Sequence, residues 1–166
     1  VQVARDNNRL NERMHQLTLG LINANSLEAL LDTLRENLMG EFKADTVVMR
    51  LANMPEAQAR ECGVDIYDPS AGELEQFESF LKSSRPQCGR FKPEQLQYLF
   101  GDQAQAIESV ALIPLGNKTS LGLLAIGSRE AGRFHPGMGT LFLTHLGELT
   151  GLLLSEHLGT DTPATT

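Results

Sequence analysis

The sequence predicts an α+β domain: a central antiparallel sheet with helices on both faces, preceded by a long N-terminal helix. Three observations predict it. Residues Ser109–Ser128 read SVALIPLGNKTSLGLLAIGS, with two apolar runs, Val110–Leu115 and Leu121–Ile126, around the loop Gly116–Ser120. Runs rich in Val, Ile and Leu joined by a short Gly/Asn/Ser loop form an antiparallel hairpin. Neither run alternates apolar with polar residues, so both faces of the hairpin are covered. Helical spacing dominates both ends of the chain and strand patterns lie between, which is the α+β order.

The first element is a helix over residues 1–24. Val3, Leu10, Leu17 and Ala24 form one apolar series, and Asn7, Met14 and Leu21 a second, offset by three and four. Charged and amide residues fill the other faces, and a seam this narrow suits a partner helix. The expectation is a parallel coiled coil through Val3, Asn7, Leu10, Met14, Leu17 and Leu21, making a homodimer. Asn7 bonds to its own mate in that register, at a cost in stability. The alternative is an ordinary amphipathic helix lying on its own domain. The chain begins at Val1 without an initiator Met, and an upstream segment would continue the same coil.

Residues 25–158 are expected to form the domain proper, and 159–166 a flexible tail. Asn25-Ser26 offers an N-cap, with Glu28 in the first turn to complement the helix dipole. Leu27, Leu30, Leu31, Leu34, Leu38 and Phe42 follow at helical spacing, with Gly40 as a stop. Thr46–Leu51 (TVVMRL) is a strand. Residues 52–68 are the least legible, with a short alternation at Gly63–Tyr67 that fits a strand. Glu73–Lys82 resumes helical spacing until Pro86 ends it. Lys92-Pro93-Glu94 opens a short helix, with Pro at its first turn. After the hairpin and a Gly/Arg/Pro loop, a last helix runs from about Gly137 to Leu158. It is apolar nearly all round, so it is buried from more than one side and adds area to the dimer interface. Gly139, Gly147 and Gly151 thin one face of it for close packing against backbone.

Composition excludes several classes of work. A net charge of −7 and a pI near 5.1 disfavour nucleic acid and anionic membranes, because phosphate contacts need clustered Lys and Arg. No apolar stretch approaches the roughly 20 residues of a membrane span. Cys62 and Cys88 have no CxxC or His at metal-ligand spacing, which leaves two free thiols and no metal site. That pattern, with no signal peptide visible in residues 1–166, leads to the expectation of a reducing cytoplasm.

The residues Cys88-Gly89-Arg90, Ser109–Leu115, Gly122–Ser128 and Arg133–Thr140, with Asn7-Asn8-Arg9-Leu10, carry a family likeness. The chain resembles a GAF-like domain, a relative of the PAS sensor fold. More narrowly it resembles the bacterial domain-of-unknown-function family 484. The resemblance implies a central sheet with the terminal helices on one face and a small-molecule pocket on the other. It implies fold far more strongly than activity.

Catalytic signatures are absent: there is no Walker A loop, GxSxG or HExxH. Gly137-Met138-Gly139-Thr140 opens a helix but lacks the Lys of a phosphate loop. The residues expected to contact a small-molecule ligand are Arg85, Cys88, Arg90 and Ser109, over Phe77 and Phe100. Two guanidinium groups and a thiol beside the hairpin can grip a carboxylate or phosphate. Ala111 and Ile113 are expected to face that pocket. The function so read is a non-catalytic sensor module whose ligand and cofactor the residues do not identify. Its alternatives are a scaffold that only dimerises, or a sulfoxide reductase with Cys88 as nucleophile and Cys62 as resolving thiol.

Overall fold

The computed structural model describes residues 2–40, 42–51, 56–66, 77, 80, 85–115, 122–135 and 140–158. Its helices are α1 (Gln2–Ile22), α2 (Leu27–Gly40), α3 (Glu56–Cys62), α4 (Pro93–Phe100) and α5 (Thr140–Leu158), with a 3₁₀ helix at Gly101–Ala106. Its strands are β1 (Thr46–Leu51), β2 (Asp65–Ile66), β3 (Gln87–Gly89), β4 (Ser109–Leu115) and β5 (Gly122–Ser128). The chain is an α+β fold around one sheet of order β2-β1-β5-β4-β3. Most of the expected helix Glu73–Lys82, the hairpin loop, Gly137–Gly139 and the tail 159–166 lie outside the described residues.

The hairpin forms as its two apolar runs require. Strands β4 and β5 pair antiparallel from Ser109↔Ser128 to Leu115↔Gly122, and β1 pairs antiparallel along the other edge of β5. Every residue of β5 is buried, the expected consequence of cover on both faces. Pro114 is tolerated inside β4 because β3 pairs only with Val110, Ala111 and Leu112, so that edge is open beside the proline.

The sheet is not wholly antiparallel. Strand β2 runs parallel to β1, in the register Arg50↔Asp65 and Leu51↔Ile66. The intervening helix α3 supplies the crossover that parallel pairing needs, and it falls in the stretch least legible in the sequence. Its end is a Schellman motif: Val64 N–H donates to Ala59 O at 3.0 Å and Gly63 N–H to Arg60 O at 3.3 Å. Gly63 takes φ +71 there, and Arg35 Nη2 donates to its carbonyl from α2 at 2.5 Å.

Two apolar clusters cover the two faces. Ala111, Ile113, Leu115, Leu124, Ile126, Met49 and Leu51 pack against α1, α2 and α5. Val110, Leu112, Leu123 and Ala125 pack against Phe77, Phe80, Leu99, Phe100 and Ile107 on the other face. The period-two alternation of a strand separates the sets. Ala111 and Ile113 therefore point at the terminal helices, and the expectation that they face the α4 side is corrected by one residue of parity.

Helix α2 starts as expected, with Ser26 Oγ accepting from Ala29 N–H at 3.1 Å as an N-cap. Helix α1 packs on α2 and α5. Leu17 and Leu21 are 0% exposed within the single chain and belong to its core, with Met14 and Ala24 packed against them. The expected seam is therefore corrected over this half. Leu17 and Leu21 face the chain's own helices, and a domain boundary at residue 24/25 would divide one core. The side chains of Val3, Asn7 and Leu10 lie outside the description.

Helix α5 sits tightly on β4: a Cβ at Gly147 would lie 2.6 Å from Pro114 O. Its opposite side is not covered by any described element, and Leu141 and Leu152 are 69% and 58% exposed. The helix is thus buried from more than one side, by the sheet and by α1 and α2, and only its outer stripe is left exposed.

Candidate functional site

Strand β3 is the sheet's edge beyond β4, and the segment Arg90-Phe91-Lys92 carries the chain from it into α4. Gly89 turns that corner at φ +139. At the head of α4, Gln95 Oε1 accepts from Lys92 N–H at 3.0 Å, and Pro93 needs no donor partner at the first helical position. The corner is thereby fixed at both ends, with grooves on either side of it.

The first groove, about 400 Å³, is lined by Pro86, Gln87, Cys88, Arg90, Phe91, Lys92 and Gln95. The second, about 460 Å³, lies between the same corner and the 3₁₀ helix and includes Arg90, Phe91, Leu96, Ile107 and Glu108. Arg90 stands between the two. Its Nη2 donates to Glu108 Oε1 at 3.0 Å, an exposed pair that adds little stability but orients the guanidinium. The first groove holds two cations and no acid, in a chain whose net charge is −7.

Cys88 is half-buried, and burial pushes its thiol up from 9.0 to about 11. The thiol is thus protonated at neutral pH and lacks the thiolate on which cysteine nucleophiles depend. The sign of the linkage follows: stability gained by burying the neutral thiol is complete below pH 9 and lost as pH rises toward 11. Denaturation curves across that window are expected to fall more steeply for the natural chain than for Cys88→Ala. Parallel curves would show that the thiol is not desolvated.

The residues expected to form one site are divided by the sheet. Cys88 and Arg90 come together in the first groove. Arg85 is exposed, ahead of β3, and lines neither groove. Phe77 and Phe100, 2% and 7% exposed, belong to the core of the α4 side and also line neither. Ser109 is corrected outright. It is buried, donates through Oγ to Glu130 O at 2.6 Å and accepts from Phe134 N–H at 3.2 Å. It fastens the loop after β5 on the terminal-helix side. Ser109→Ala is expected to cost about 1–3 kcal/mol through these lost partners, measured by urea unfolding, with no effect on ligand affinity.

Sequence reasoning missed Arg50. From β1 its Nη2 donates to the Tyr98 carbonyl, and its guanidinium lies 4.3 Å from the Tyr98 ring centroid. Tyr98 in turn packs on Phe77, with centroids 5.8 Å apart. Arg50 ties α4 to the sheet and so holds the grooves in place. The signal was a lone charge at the end of the apolar strand TVVMRL.

Among the described residues no cluster of His, Cys, Asp or Glu could hold a metal ion, and no helix is long and apolar enough to cross a membrane. A family model described as "Protein of unknown function, DUF484" matches residues 1–158, and the chain belongs to that family. No curated protein matches it.

Proposed function

We propose that this DUF484 member is a non-catalytic, cytoplasmic sensor module of GAF-like type, which binds a small anionic molecule and works as a dimer. The observation that carries the reading is the first groove, with Arg90 and Lys92 in its wall and no acid among its lining residues. Two cations at a fixed corner favour a carboxylate or phosphate, while Phe91 and Pro86 offer apolar surface to the remainder. A volume of about 400 Å³ is the size of a metabolite site. The high thiol pKa of Cys88 supports binding over thiolate chemistry. The Arg90–Glu108 pair gives such a ligand something to displace, so occupancy is read out as release of Glu108 at the head of β4.

Thermal-shift screening of small carboxylates and phosphates is expected to raise Tm for at least one class. The double variant Arg90→Ala/Lys92→Ala is expected to lose that shift, while Glu108→Gln, which frees Arg90 for the anion, keeps or enlarges it. A shift that survives in the double variant places the ligand elsewhere.

A further inference from the structure

Helix α5 turns a stripe to solvent that reads Leu141, His145, Glu148, Leu152. The leucines are 69% and 58% exposed, and the two polar residues are exposed as well. Steps of four, three and four keep all of them on one side of a helix. Leucine at these exposures in two positions on one stripe is unpartnered apolar surface, and the polar pair between them is a base and an acid.

The order of this stripe is its own complement when reversed. A second copy laid antiparallel, with a twofold axis between Leu146 and Gly147, sets Leu141 against the partner's Leu152 and Leu152 against the partner's Leu141. It sets His145 against the partner's Glu148 and Glu148 against the partner's His145. Every residue meets one that suits it, as an isologous interface demands. A parallel pairing puts Glu148 on the partner's Glu148, where like charges repel, and leaves each His145 without an acid to face. The antiparallel arrangement also carries the exposed Glu156 past the start of the partner helix. The first turn there holds no acidic residue, and the helix dipole favours a carboxylate at that end.

We infer that the outer stripe of α5 is a dimer surface for a second copy of this chain, with the two α5 helices antiparallel. The inference deepens the dimeric part of the proposed function and does not depend on a ligand. It is a different surface from the parallel coil expected for α1, whose Leu17 and Leu21 are buried within the chain.

The test uses paired cysteines in the chain bearing Cys62→Ser and Cys88→Ser. Leu141→Cys together with Leu152→Cys is expected to give a covalent dimer under mild oxidation. Either cysteine alone is expected to give little. Its own mate is offset by 11 positions, about 16 Å along the axis, beyond the roughly 7 Å Cα separation a disulfide allows. In sedimentation equilibrium, Leu152→Glu is expected to raise the dissociation constant about tenfold or more while circular dichroism shows the chain still folded, because the side chain is exposed on the single chain. Single cysteines that cross-link as readily as the pair would show a parallel dimer and overturn the inference. A pair that fails to cross-link, or a Leu152→Glu variant of unchanged mass distribution, would overturn it too. None of these outcomes bears on whether Arg90 and Lys92 hold an anion.

Discussion

Gly122→Ala is expected to remove about 3 kcal/mol or more of stability, the range reserved for backbone strain combined with a core collision. Gly122 opens β5 at φ +152, a conformation L side chains rarely adopt. A Cβ there would stand 2.1 Å from Arg50 O and 3.0 Å from Leu51 Cα. Both atoms belong to β1, which pairs with β5 along its whole length, so the strain cannot be relieved by turning a side chain. Strand β1 must move off β5, and with it Arg50, its bond to the Tyr98 carbonyl, and the footing of α4. The expected result is a lower urea midpoint and weaker anion binding together. A variant of unchanged midpoint would mean that the β1–β5 approach is looser than described.

Leu17→Ala and Leu21→Ala are each expected to cost about 2–5 kcal/mol, as buried leucines do when a cavity replaces them. Both are fully buried in the cluster that also holds Leu30, Leu34, Leu143 and Leu146. The double variant is expected to lose cooperative unfolding altogether, since such a loss approaches the whole stability of a domain. Removal of residues 1–24 is expected to act in the same way, giving an unfolded or molten chain. A coiled-coil arm would behave differently, leaving a folded monomer. Circular dichroism melts read together with sedimentation separate the two results.

These residues show why part of the fold was legible and part was not. The hairpin could be read because two uninterrupted apolar runs around a turn admit few other structures. The same lack of alternation hid its facing: with every residue of β5 apolar or small, nothing in the runs distinguishes Ala111 and Ile113 from Val110 and Leu112. The N-terminal helix was clear as a helix, but its partner was not. Over about three heptads a coiled-coil seam and an amphipathic stripe differ by only about 20° per heptad, so Leu17 and Leu21 fit either. Helix α3 left a weak trace because it is short and buries Ala59 as its contribution to the core. Its end signal, Gly63, suits the start of an alternating strand equally well in the sequence, and the strand begins two residues later at Asp65.

The site was half legible for a related reason. Arg90 and Cys88 lie two positions apart on one corner, and local spacing is enough to join them. Ser109 is close to them across the β3–β4 ladder, but its hydroxyl is bonded to the Glu130 carbonyl and the Phe134 amide, and a loop 21 and 25 residues away in sequence decides that. Lys92 entered through the corner's geometry, and Arg50 through the pleat of β1 that turns it toward Tyr98.

Mass spectrometry of small molecules released by denaturing the purified chain shows whether the groove beside Arg90 and Lys92 holds an anion. A carboxylate or phosphate compound released in stoichiometric amount from the natural chain, and absent from Arg90→Ala/Lys92→Ala, is the expected result. Release of nothing, together with the absence of any thermal shift by anions, would contradict the account, as would a ligand retained in full by the double variant.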